Sequence, residues 1–193
     1  MRTDNLYTLP TDIPNPEDDG ASAHLIGLTV PQVSLPSTSG GSANLNAMAS
    51  NFTVVYCYPR TGRPDESPLG GTEFWNAIPG ARGCTPQSCS YRDHYSDLQS
   101  LGASVFGLST QATEYQREAV QRLHLPFPLL SDLDGKFSGP LRLPYFDVAG
   151  VRLLKRLTLI LGQHGQILQC MYPVFPPDQD AGKVVAWLRS NAA

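Results

Sequence analysis

The chain has 193 residues, 41% of them hydrophobic, enough for one domain with a buried core. Its formal net charge of −3, with lysine and arginine scattered along the chain, supplies no basic field for nucleic acid. No apolar run approaches the ~20 residues a membrane helix needs, and the opening "MRTDNLYTLPTDIPNPEDDG" lacks the apolar stretch of a signal peptide, so the expected compartment is the cytoplasm.

Residues 1–23 are rich in proline and aspartate and show no apolar period, which predicts an N-terminal arm, extended or partly disordered. The domain proper is expected over residues 24–193. "LTVPQVSL" and "PSTSGGSANL" predict short extended segments about a Gly/Ser turn, and "FTVVYCY" a buried, central strand. Residues from Pro59 to Gly83 carry many prolines and glycines with little periodicity, which predicts a long loop of a length that signals function or disorder. A helix follows, with Tyr91, Tyr95, Leu98 and Leu101 on one face and Thr85 and Pro86 as its cap and first residue. "ASVFGLS" predicts a strand, and "TEYQREAVQRLHL" a helix opened by a Thr113/Gln116 capping box. "FPLLSD" is a short strand, "RLTLIL" and "QILQCMYP" form a hairpin, and Ala181, Val184, Val185 and Leu188 share one face of a closing helix. Strands alternating with helices, then a hairpin and a helix, imply an α/β fold with a mixed central sheet flanked by helices.

The four cysteines carry the chemical signal, two of them in "PGARGCTPQSC". Cys84 falls where the loop meets a helix N-terminus, where unpaired N–H groups and the helix dipole favour a thiolate; the plain alternative is a small residue filling a turn. Five residues along a helix give ~7.5 Å of rise and ~140° of rotation, whereas a disulfide needs α-carbons within ~4.4–6.8 Å. Cys84 and Cys89 therefore cannot pair while the helix is intact. Zinc is not indicated either, since the spacing is wrong and no second ligand pair follows. Cys57 and Cys170 lie in strands and read as small buried hydrophobes. His24, His94, His124 and His164 are dispersed, so neither metal nor heme nor any other cofactor is expected.

The segments "YCYP", "GCTPQSCSYRD", "LGASVFGLST", "FPLLSD" and "KRLTLILGQHGQI" occur in the order and spacing of a peroxiredoxin, and the chain resembles the peroxiredoxin Q, or bacterioferritin comigratory protein, branch from about Leu28 to the last helix. That resemblance implies a thioredoxin-like fold and reduction of hydrogen peroxide and organic hydroperoxides. It implies that Cys84 is the peroxidatic cysteine, Cys89 the resolving one that closes an intramolecular disulfide, and Arg156 the arginine that holds the thiolate and binds peroxide. Without the resemblance the favoured reading of Arg156 is a partner for an Asp or Glu beside the sheet. Arg92 and Asp93 match the family's "RD". The implied reductant is thioredoxin or a similar dithiol, and the implied assembly a monomer or weak homodimer. Pro59, Arg82 and Thr85 are the expected supporting residues.

The chain also departs from the pattern. The family's proline and threonine before the cysteine fall on Ala77 and Ala81, and Pro59 corresponds to the proline only if about 60–83 is an insertion. Thr61, Thr72, or Arg82 with backbone N–H groups are the candidates to replace the missing hydroxyl, and the cluster "FWNAIP", with Trp75 and Pro79, is expected to pack over or beside the pocket. Two alternatives remain on the sequence alone: a thioredoxin-like oxidoreductase acting on protein disulfides, against which stands the lack of a Cys-x-x-Cys motif, and a non-enzymatic binding module.

Overall fold

The computed structural model describes residues 4–191; the first three residues of the arm and the last two of the chain lie outside them. The elements in chain order are β1 (Leu35–Pro36), β2 (Ser42–Ala43), β3 (Phe52–Cys57), α1 (Thr72–Ala77), α2 (Cys84–Asp93), α3 (Tyr95–Ser100), β4 (Ala103–Ser109), α4 (Thr113–Leu123), β5 (Leu129–Ser131), β6 (Tyr145–Val148), β7 (Val151–Leu154), β8 (Leu157–Leu161), β9 (Ile167–Met171) and α5 (Asp180–Asn191).

The β-branched and aromatic run of β3 takes the centre of a five-stranded sheet of order β5-β4-β3-β8-β9. β4 runs parallel to β3, β5 parallel to β4, and β8 and β9 enter antiparallel, so the sheet is mixed, as expected. Because side chains alternate along a strand, β3 feeds two cores. Val54 and Tyr56, with Tyr58 just past the strand, meet residues of α2, α3, α4 and α5, while Val55 and Cys57 meet Leu25, Leu45, Phe137 and the leucines of β8. Each fully buried aliphatic side chain contributes about 1.5–3 kcal/mol. Tyr56 is also the strand's hold on α2: its ring stacks on Tyr91 at 4.4 Å and its hydroxyl lies 3.1 Å from Ser88 Oγ.

Several local expectations are corrected. Residues 60–83 are not loop throughout, because Thr72–Ala77 form α1, stabilised by the burial of Trp75 against Ala81, Val148 and Leu153. The long helix after Cys84 is two, α2 and α3, broken at His94. The cap of α2 is Gly83 rather than Thr85; Gly83 adopts φ 104°, and a side chain there would run into Leu9 and Pro177. The cap of α4 is Ala112, and no capping box forms, because the Gln116 amide turns inward to Tyr58, Ser109 and Leu130. The β6–β7 hairpin is an element the sequence pattern did not reveal.

The arm folds back onto the domain. Asp19 accepts from Lys155 at 2.6 Å and from Tyr172 at 2.8 Å, which holds its carboxyl at about 2, below the ordinary carboxylate range. Near the start of the arm, Asp4 ion-pairs with Arg82. Among the described residues no helix is long and apolar enough to cross a membrane.

Candidate active site

Cys84 is the first residue of α2 and is buried. The first turn of a helix leaves its N–H groups without intrahelical carbonyls, and Pro86 removes one of these donors, so Cys84 and Thr85 present theirs at the turn that carries the sulfur. Arg156, between β7 and β8, reaches this turn from below and is itself only 3% exposed. Its Nη2 donates to Cys84 Sγ at 3.2 Å and lies 3.1–3.4 Å from the carbonyls of Gly80, Ala81 and Arg82. Its Nη1 donates to Gln87 Oε1. The guanidinium therefore holds the sulfur and the last turn of the inserted segment at once.

Gln87 passes the contact on. Its Nε2 donates to Asp180 Oδ2 at 2.8 Å, and the same oxygen accepts from Thr158 Oγ1 at 2.7 Å and from Tyr91 at 2.9 Å. Burial pushes the Asp180 carboxyl above its ordinary range, against the pull of these donors and of Arg156. Neither Gln87 nor Asp180 stands out in the sequence, apart from being polar residues on helices whose neighbours are buried.

A cavity of about 30 Å³ opens beside Cys84, room for roughly one water-sized molecule. Its lining includes Leu6 from the arm, Trp75, Ala81, Arg82 and Thr85, together with Arg60, Arg63, Glu66 and Tyr115. The two arginines stack on the Tyr115 ring at 4.3 and 4.0 Å, and the Tyr115 hydroxyl donates to Glu66 at 2.5 Å. Trp75 thus packs beside the pocket, as the "FWNAIP" cluster suggests, whereas Pro79 is exposed and does not line it.

The remaining sequence candidates sit as follows. Pro59 is buried and off the cavity wall. Arg82 reaches the cavity, but its guanidinium is committed to Asp4 and, at 2.7 Å, to the Asn5 carbonyl. Thr85 is buried on the cavity wall. Neither substitute threonine reaches the sulfur's surroundings: the Thr61 hydroxyl donates to Gln111 at 3.1 Å, and Thr72 opens α1. Cys89 is half-buried further along α2, its thiol pushed up by burial and pulled back in part by Arg92. Burial also pushes the Cys57 thiol up strongly and that of Cys170 to about 11, which suits inert thiols. Among the described residues, no group of three His, Cys, Asp or Glu side chains is placed to hold a metal ion.

Residues 25–185 match the Redoxin family. The chain belongs to that family. Its similarity lies with the peroxiredoxin Q and bacterioferritin comigratory protein branch: it is 27% identical over 190 residues to chloroplastic peroxiredoxin Q of Gentiana triflora, covering 96% of this chain and 78% of that one. Two solved structures share the fold of this redoxin. Peroxidoxin BcpB from Mycobacterium tuberculosis superposes with a TM-score of 0.70 at 24% identity, over 87% of this chain and 98% of its own. Peroxiredoxin Q of Xanthomonas campestris gives 0.67 at 21%, over 95% and 100%. The thioredoxin-like architecture expected from the sequence is therefore the architecture of this redoxin.

Proposed function

We propose that this redoxin is a cysteine-based thiol peroxidase in which Cys84 is the peroxidatic residue. The observation that carries the reading is the Arg156 guanidinium 3.2 Å from Cys84 Sγ at the N-terminus of a helix, in a cavity the size of a small oxygen species. The Cys84 thiolate attacks one oxygen of the peroxide; the S–O bond forms as the O–O bond breaks, and the departing oxygen takes a proton to leave as water or an alcohol. Arg156 and the first-turn N–H groups stabilise the charge that develops on that oxygen. Cys84 is left as a sulfenic acid.

Cys89 is the resolving residue in this reading. Its sulfur attacks the sulfenic acid, water leaves, and an intramolecular disulfide forms, which thioredoxin or a similar dithiol reduces. Because both cysteines lie in one continuous helix, the start of α2 unwinds for this step.

The test couples peroxide consumption to NADPH through thioredoxin and thioredoxin reductase, with peptide mass spectrometry after one equivalent of peroxide. Cys84→Ser abolishes turnover. Cys89→Ser consumes one equivalent, over-oxidises and does not cycle. A disulfide from Cys84 to Cys57 or Cys170 would reassign the resolving residue. Reduction of protein disulfides without peroxide turnover would favour the oxidoreductase alternative, and neither activity the binding module.

A further inference from the structure

We propose that Asp180 is a positioning residue for the peroxide reaction, fixing the Arg156 guanidinium against Cys84 through the side-chain amide of Gln87. The proposal rests on the reading of Arg156 given above and adds to it a residue that touches neither sulfur nor substrate.

Amide chemistry makes the argument. A glutamine side chain has one accepting end and one donating end, and in isolation either can face a neighbour. Asp180 Oδ2 accepts from three converging donors, Gln87 Nε2, Thr158 Oγ1 and Tyr91 Oη. That leaves only the carbonyl end of Gln87 to face Arg156, where it accepts from Nη1. A flipped amide would set donor against donor at Arg156 and acceptor against acceptor at Asp180. The polarity therefore runs one way, from Arg156 to Gln87 to Asp180, and it fixes the plane of the guanidinium whose other nitrogen holds the sulfur.

Burial makes this orientation costly to lose. Gln87 is 0% exposed, Asp180 1% and Arg156 3%, so no water can take over a broken link without rearrangement. Arg156 forms no ion pair with a carboxylate among the described residues; Asp180 is the acidic group its polar contacts lead to. The arrangement does not depend on the charge of Asp180, because a proton on the carboxyl would sit on Oδ1 and leave Oδ2 accepting. Asparagine, with its amide nitrogen in the place of Oδ1, preserves the same acceptor.

The experiment measures the second-order rate constant of Cys84 with hydrogen peroxide, by competition with a heme peroxidase, in the full chain. Asp180→Ala and Gln87→Met each lower it by roughly ten- to a hundredfold, and Asp180→Asn stays within about threefold of wild type because it keeps the acceptor. In an Arg156→Met background, Asp180→Ala and Gln87→Met change the rate less than about twofold, since a residue acting through Arg156 has nothing left to orient. Gln87→Met keeps the proposal testable if Asp180→Ala fails to fold, because Asp180 retains Tyr91 and Thr158. Equal losses in both backgrounds would mark a structural contribution only and overturn the proposal. A slowed Arg156→Met beside unaffected Asp180→Ala and Gln87→Met would overturn the relay alone, whereas an Arg156→Met as fast as wild type would overturn the reading of Arg156 along with it.

Discussion

Replacing Arg156 by methionine removes the cation from the sulfur while keeping most of the side-chain volume. The magnitude follows from what the guanidinium touches. One donor sits 3.2 Å from Cys84 Sγ, and a hydrogen bond to a charged group contributes about 1.5–3 kcal/mol. The same donor is the strongest candidate to meet the departing oxygen, and loss of one such group costs about 10²–10³ in rate. The rate constant with hydrogen peroxide is therefore expected to fall by about 10²–10³, measured by competition kinetics at neutral pH. Arg156→Lys restores a charge but not the fork that also engages Gln87 and the carbonyls of Gly80, Ala81 and Arg82, so it recovers only part of the loss. A thermal melt separates this from unfolding. An Arg156→Met protein that folds and reacts within about threefold of wild type would refute the reasoning, since such a change is far smaller than one lost donor should produce.

In Cys84→Ser, alkylation of Cys89 by iodoacetamide is expected to reach half its maximum above the pH of an ordinary thiol, because burial raises the group; Arg92→Ala should move that midpoint further up. Asp19 is held at about 2, so the stability its contacts give the arm is complete above the ordinary carboxylate range and is lost as pH falls toward about 2. Since Asp19 and Lys155 are well exposed, the effect is small, and limited proteolysis of the arm against pH, with Asp19→Asn as the pH-insensitive control, is the measurement. Ala81→Thr, which restores a hydroxyl three residues before Cys84, forces extra atoms into the fully buried cluster around Trp75, Val148 and Leu153. It should cost about 1–3 kcal/mol by urea unfolding.

The elements legible in the sequence are those whose pattern is local. β3 announces itself by a β-branched run and α5 by Ala181, Val184, Val185 and Leu188, all of them buried. The hairpin of β6 and β7 stayed hidden because its turn puts Ala149 at φ 49°, a conformation alanine seldom adopts and turn chemistry does not signal. α1 was missed because a six-residue helix has little propensity of its own and forms around one buried tryptophan. For the site, Cys84 and Arg156 were visible through motif resemblance. The Gln87–Asp180 contact was not, since it joins residues 93 apart whose pairing is set by how α2 and α5 meet over β8.

The helix that carries both cysteines faces opposed demands, and its contacts divide along that line. Four polar contacts hold the segment from Cys84 to Cys89: Arg156 to Cys84, Arg156 to Gln87, Gln87 to Asp180, and Tyr56 to Ser88. The two from the Arg156 guanidinium contribute about 1.5–3 kcal/mol each and the other two about 1 kcal/mol each, and all four favour the wound helix over the unwound one. The Tyr91 contacts, its stack on Tyr56 and its bond to Asp180, lie beyond Cys89 and can persist when the first turns open. Oxidation changes this balance from within. In the proposed mechanism, converting the thiolate to a neutral sulfenic acid removes the attraction between opposite charges and leaves the Arg156–sulfur contact assisted by the guanidinium alone. If Cys84 and Cys89 act as proposed, the step that makes Cys84 need Cys89 is thus the step that loosens the helix keeping them apart.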